Sequence, residues 1–221
     1  MHRPERYSLD SYTADAKAVL DACRVEHVIA IGLSLGAAYA LQLAASHPDV
    51  VDGLVLVGPA LALAPPLPER SLIGARFHDP APTDPEGWDR YNLAYWHAHY
   101  DDFVRWFCEQ LFSEPHSTKA IDDGVAWASE TGPEVLEAAA SPRPGNKPMA
   151  EVLAELRCPT LVIHGSDDRV QSHAVGIEAA RLSGGTLVTF EGSGHIPNLR
   201  DPVRFNLLVR EFADRVAACA R

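Results

Sequence analysis

The sequence has no excess of positive charge: 19 Lys and Arg stand against 30 Asp and Glu, a net charge of −11 over 221 residues. A chain this acidic lacks the basic patch that a nucleic-acid or anionic-membrane surface requires, so neither is expected as a partner. Apolar runs of membrane-spanning length are also missing. The opening Met1-His-Arg-Pro-Glu-Arg is charged, with no apolar segment behind it, unlike a secretory leader. Cysteine is scarce. Cys23, Cys108, Cys158 and Cys219 lie far apart, with neither C-x-x-C spacing nor the density of a disulfide scaffold. A reduced, cytoplasmic setting and four buried thiols are the expectation. There is no zinc-ligand spacing, phosphate-cradling P-loop, internal repeat or low-complexity tract, so no metal and no cofactor is expected. His97 and His99, two apart on a helix, would not share a face.

What is present is an alternation of short β-branched runs with amphipathic segments. Ser8 reads as the N-cap of a helix over 9–23, with Leu9, Tyr12, Ala16, Val19, Leu20 and Cys23 on one face. A strand is predicted at 27–31 and a helix at 37–46, the latter ended by His47-Pro48 because proline disfavours helical geometry in the residue before it. Val50 to Val57 is a nearly continuous apolar run that stops at Gly58-Pro59, as expected of a parallel strand covered on both faces. Further on, helices at 149–157, 172–182 and 203–218 alternate with strands at 159–164 and 185–190. The pattern predicts an α/β protein, a mostly parallel sheet with helices on both faces.

Between these blocks the composition changes. Seven of the 17 prolines fall between Pro59 and Pro85, all four tryptophans between 88 and 127, and a second proline cluster is formed by Pro142, Pro144 and Pro148. Residues 60–147 therefore read as a helical insertion, a domain set into a core made of 1–59 and 148–221. Its aromatics recur at helical spacing from Trp88 to Leu111, which suits an internal core, and those not packed inward would line an apolar cleft.

Ligands of an open parallel sheet gather at the carboxyl ends of its strands. Three predicted strand ends carry reactive residue types. Gly32-Leu33-Ser34-Leu35-Gly36 is a G-x-S-x-G turn between strand and helix, Asp167-Asp168 follows the 159–164 strand, and His195 follows the 185–190 strand. Each has an ordinary reading as a turn or capping residue. Together, in the order serine, acid, histidine, they fit a nucleophile, a carboxylate and a general base. Either aspartate could serve on these grounds. His164, at the end of a buried strand, reads as a packed histidine.

The segments Ile31-Gly-Leu-Ser-Leu-Gly36, Pro159-Thr-Leu-Val-Ile-His-Gly-Ser-Asp-Asp-Arg-Val170 and Gly192-Ser-Gly-His-Ile-Pro-Asn198 resemble those of the α/β-hydrolase family. The resemblance implies a catalytic triad of Ser34, Asp168 and His195, an oxyanion-hole donor at the Leu35 N–H, and a substrate-binding cap over 60–147. It selects Asp168 because the family's acid stands three residues after the strand-ending glycine. It also implies strands ahead of the first helix, one ending in a His-Gly segment that supplies a second oxyanion donor; this sequence has no such segment. The expectation is an N-terminally incomplete core in which strand 27–31 has an open edge, a route to self-association. The implied activity is hydrolysis of a small apolar or aromatic carboxylic ester or related acyl bond. Carbon–carbon bond hydrolase, lactonase, thioesterase or acyltransferase activity lies within the same fold. A non-catalytic binding protein or fragment is the competing class.

Overall fold

The computed structural model describes residues 6–140 and 147–219. Met1–Glu5 and two prolines of the second cluster, Pro142 and Pro144, lie outside them. Four parallel strands form one sheet in the order of the chain: β1 (Val28–Leu33), β2 (Val51–Val57), β3 (Thr160–Gly165) and β4 (Thr186–Phe190). Parallel neighbours need crossover connections, and helices provide them. Helix α1 (Leu9–Ala22) precedes β1, and α2 (Leu35–Ser46) links β1 to β2. Between β2 and β3 come α3 (Ile73–Arg76), α4 (Leu93–Ala98), α5 (Tyr100–Leu111), α6 (Thr118–Ala128), α7 (Pro133–Ala140) and α8 (Met149–Ala154). Helix α9 (His173–Ser183) joins β3 to β4, and α10 (Pro197–Arg200) and α11 (Pro202–Cys219) follow.

The period-2 alternation of side chains divides the apolar strands between two cores. Leu54, Leu56 and Val162 point to one face and pack with Ala37, Leu41, Ala44, Leu153, Val175 and Ala179 from α2, α8 and α9. Their neighbours Val55, Val57, Leu161 and Ile163 point to the other face and meet Phe190, Phe212 and Val216. Strands β2 and β3 are therefore covered on both sides, as their unbroken apolar runs require. A third cluster, built from residues between Phe77 and Ala140, centres on Tyr95, Trp96, Phe103, Val104 and Cys108. The aromatic segment thus has a core of its own.

Local chemistry sets the element ends. Ser8 caps α1, its Oγ accepting the Ser11 N–H at 3.1 Å, and Gly184 ends α9 in the left-handed region at φ 61°, a conformation glycine adopts without a Cβ clash. His47 takes φ −131° before Pro48 and stops α2. Three details differ from the sequence reading. Helix α8 ends at Ala154 rather than at 157. In α1, Leu9 and Thr13 are buried, whereas Val19 is 62% exposed; the helix meets its neighbours along a narrow stripe, and Val19 lies beside it. Cys23 and Cys219 are exposed and Cys158 is half-buried, leaving only Cys108 buried among the four free thiols. Among the described residues no helix is long and apolar enough to cross a membrane.

Candidate active site

Ser34 stands at the junction of β1 and α2 with φ 54° and ψ −120°, a conformation that costs a non-glycine residue about 1–3 kcal/mol. It occupies an N-cap position, yet its hydroxyl makes no capping hydrogen bond. The turn is held from both sides: the Ser34 N–H donates to the Val57 carbonyl at 2.9 Å, and the Ser34 carbonyl accepts the Ala60 N–H at 3.1 Å. The two flanking glycines are not equivalent. A Cβ on Gly32 would lie 2.2 Å from the Gly36 carbonyl oxygen, whereas a Cβ on Gly36 would meet nothing within 4 Å. Only the first glycine is required by close backbone approach. Helix α2 begins at Leu35, two residues earlier than its apolar pattern indicates, so the Leu35 N–H belongs to the helix's first turn, where backbone donors lack intrahelical acceptors.

The structure brings Asp168, not Asp167, to the histidine. Asp167 is exposed and accepts a hydrogen bond from the Ser166 hydroxyl. Asp168 is buried, and both of its oxygens are fully engaged. Oδ1 accepts the N–H groups of Val170 at 2.7 Å and Gln171 at 2.8 Å; Oδ2 accepts from His195 Nδ1 at 2.7 Å and His164 Nε2 at 3.0 Å. Burial alone would raise the Asp168 pKa, but the His164 and His195 hydrogen bonds outweigh it and hold the carboxyl well below the usual range. Donation to a common oxygen fixes both rings as tautomers, with the proton of His195 on Nδ1. Its Nε2 is then a bare lone pair, buried and without a hydrogen-bond partner among the described residues. That is the state a general base needs.

Gly58 connects this pair to Ser34. It sits at φ 46° in the loop that anchors the serine turn, and a Cβ there would come 3.1 Å from His195 Nδ1. The ring packs against the same short loop that holds the serine backbone. The sequence reading of His164 as merely packed is incomplete: it is fully buried and shares the carboxylate with His195. His97 instead meets Glu137, its Nε2 2.9 Å from the carboxylate, and no cluster of three or more potential metal ligands occurs among the described residues.

Sequence reasoning missed Glu114 altogether. This residue follows α5, is 7% exposed, and accepts the Gly194 N–H at 2.6 Å and the Ser193 hydroxyl at 3.1 Å through Oε1. Nearby, the Leu111 carbonyl accepts the His195 N–H at 3.1 Å and the Ser113 hydroxyl donates to the Asp167 carbonyl at 3.1 Å. The end of α5 thus clasps both the histidine loop and the acid loop. No local motif announces Glu114, because its partners lie about eighty positions away in the chain. Glu114→Ala is expected to orphan two buried donors and cost about 1–3 kcal/mol of stability, with kcat falling more than KM changes. Glu114→Gln keeps an acceptor oxygen and should recover most of both. Melting curves and steady-state kinetics on the two variants check this; equal losses in both would assign the role to charge instead.

A cavity of about 640 Å³ lies between the C-terminal part of α2 and α8, lined by Gln42, Ser46, Pro48, Val152 and Glu155. It is at the far end of α2 from Ser34. A cavity of about 450 Å³ lies nearer the strand ends, reaching from Ala60 and Leu61 to Gln171 and Ser172.

Comparison with known proteins identifies the family. The family model described as the alpha/beta hydrolase family matches residues 2–206. Among curated proteins, an AB hydrolase superfamily protein of Bacillus subtilis is 25% identical over 222 residues, covering 95% of this chain and 75% of that protein. A 2-hydroxy-6-oxononadienedioate/2-hydroxy-6-oxononatrienedioate hydrolase of Paraburkholderia xenovorans is 28% identical, covering 89% and 65%. Among solved structures, the esterase RhEst1 of a Rhodococcus species superposes with a TM-score of 0.75 at 24% identity, covering 98% of this chain and 76% of that one.

Proposed function

The chain belongs to the α/β-hydrolase family, and on that premise we propose that it is a serine hydrolase acting on a carboxylic ester or related acyl bond. The observation that supports this most is the His195–Asp168 pair at 2.7 Å, with His195 Nε2 left bare beside the loop that anchors Ser34. In the reaction, Nε2 takes the Ser34 proton as Oγ adds to the carbonyl carbon. The resulting oxyanion is held in part by the Leu35 N–H. His195 then returns the proton to the leaving alcohol as the C–O bond breaks, and water, activated by the same nitrogen, releases the acyl group. Asp168 stays ionised throughout, stabilising the imidazolium through Nδ1. The helical block after β2, tied to the histidine loop by Glu114 and Leu111, serves as the cap over the site.

A biotinylated fluorophosphonate tests this reading. It should label the protein on one peptide, the one containing Ser34, and hydrolysis of short p-nitrophenyl esters should disappear in parallel with labelling. A folded protein that takes up no label would favour the non-catalytic class. Cleavage of a carbon–carbon bond is the second reading within the fold, favoured by the similarity to the Paraburkholderia enzyme; vinylogous diketo acids compared with esters of equal length separate the two.

A further inference from the structure

Arg70 is out of place on electrostatic grounds. Its neighbours Arg76 and Arg90 are paired at 3.2 Å with Asp89 and Asp102. Arg70, half-buried in the segment after β2, forms no ion pair among the described residues, and its Nε is buried with no hydrogen-bond partner among them. The guanidinium lies over the Trp88 ring, 4.6 Å from its centroid, and 6.0 Å from that of Tyr91. Burial pushes its pKa down, while the charges of Tyr91 and Asp168 act in the opposite direction. Asp168 has no acceptor capacity to spare, since its oxygens already take four hydrogen bonds. A partly desolvated guanidinium without a counterion loses solvation without an ion pair to offset it, and this one contributes to the wall of the cavity of about 450 Å³. Ala60, Leu61, Ile73 and Val175 give that cavity an apolar lining, with Gln171 beside the acid loop. The Ala60 N–H bonds the Ser34 carbonyl at 3.1 Å and the Gln171 N–H bonds Asp168 at 2.8 Å, so the cavity adjoins the candidate triad on two sides.

We infer that Arg70 is a specificity residue that binds a carboxylate on the substrate, placing a short aliphatic chain along this cavity with its acyl carbon at Ser34. The planar fork of arginine matches a carboxylate in two parallel hydrogen bonds, and the Trp88 face holds the guanidinium flat. The substrate class is therefore an acid ester, one carboxyl esterified and another free. That assignment rests on Ser34 being the nucleophile; the binding of a carboxylate at Arg70 does not.

Two measurements separate these parts. Glutarate, titrated against tryptophan emission, should perturb the wild-type protein and leave Arg70→Gln unaffected over the same range. Inorganic phosphate should be weaker, and a response to phosphate but not to glutarate would overturn the carboxylate class. The mono-p-nitrophenyl ester of glutaric acid should then be preferred over its neutral methyl diester analogue by about tenfold or more in kcat/KM, a preference lost in Arg70→Gln. The melting temperature of Arg70→Gln should fall by no more than about 2–4 °C, the loss of the Trp88 contact, because no ion pair is broken; a larger fall, or equal kinetic losses on both esters, would assign Arg70 to cap packing and overturn the inference. Failure of the Ser34 reading would show separately, as a wild-type protein that resists fluorophosphonate, with the glutarate titration still deciding Arg70.

Discussion

Alanine at position 34 is expected to lower ester hydrolysis by roughly 10⁶-fold, the scale seen when the nucleophile of a cooperating triad is removed. Nothing else in the site can take over the attack: His195 Nε2 would have no hydroxyl to deprotonate, and the carboxylate of Asp168 is saturated. A residual rate above about one part in a thousand would point to a different nucleophile. The same position offers a comparison that depends on the backbone alone. Ser34→Gly lacks the hydroxyl too, but glycine accepts φ 54°, ψ −120° without the Cβ conflict that alanine retains. The glycine variant should melt above the alanine variant by roughly 2–4 °C, corresponding to about 1 kcal/mol of released strain. Identical melting temperatures would mean that the elbow stores no strain.

Asp168→Asn should lower kcat by about 10⁴-fold, as expected when the orienting carboxylate of a triad becomes an amide, and here it should destabilise the fold as well. The reason is the loading of the two oxygens. One faces two backbone N–H groups and the other faces two imidazole N–H groups. An asparagine must turn its NH₂ towards one of these donor pairs, whichever way it flips, leaving buried donors unpaired at about 1–3 kcal/mol each. The pH dependence follows from the depressed Asp168 pKa. Its stabilising contribution is fully present above the unfolded carboxyl value near pH 4, and is lost as pH falls towards the lower folded value. Wild type should therefore lose melting temperature steeply below about pH 4, and Asp168→Asn should do so less. Parallel profiles for the two proteins would assign the acid limb to other carboxylates.

The elements that sequence reveals here are those whose cause is local. The G-x-S-x-G turn, the apolar run of β2 and the Gly165-Ser-Asp-Asp loop carry their reasons within a few residues, and the structure places elements where those reasons indicate. The parallel direction of β1 to β4 follows from the same alternation, whereas their order in the sheet does not. What could not be read was set by distance in sequence. His164 looks like one more residue of a buried strand until the chain turns Asp168 back onto it. Glu114 sits in a polar stretch that reads as an ordinary loop, and Arg70 in a proline-rich segment that reads as irregular. All three owe their roles to groups met only after folding. The end of α8 is hidden for a related reason: the residues after Ala154 resemble helix in composition, but the chain must turn there to enter β3.

The hydrogen bonds that Leu111 and Glu114 make to the histidine loop also bear on how far this enzyme can be rebuilt from parts. In a chimera that exchanges the helical segment for one from a relative, His195, the proposed general base, loses its backbone support unless the incoming segment supplies acceptors at these two places. Leu111 contributes its carbonyl, so any residue in the same backbone path serves. Glu114 contributes its side chain and must be matched by one that places an acceptor oxygen there. A graft of the whole segment, whose core spans residues on both sides of position 114, therefore has to carry that acceptor with it wherever its seams are placed. A donor segment chosen for its pocket but lacking that acceptor would bring a new specificity to a histidine no longer held in place to act on it.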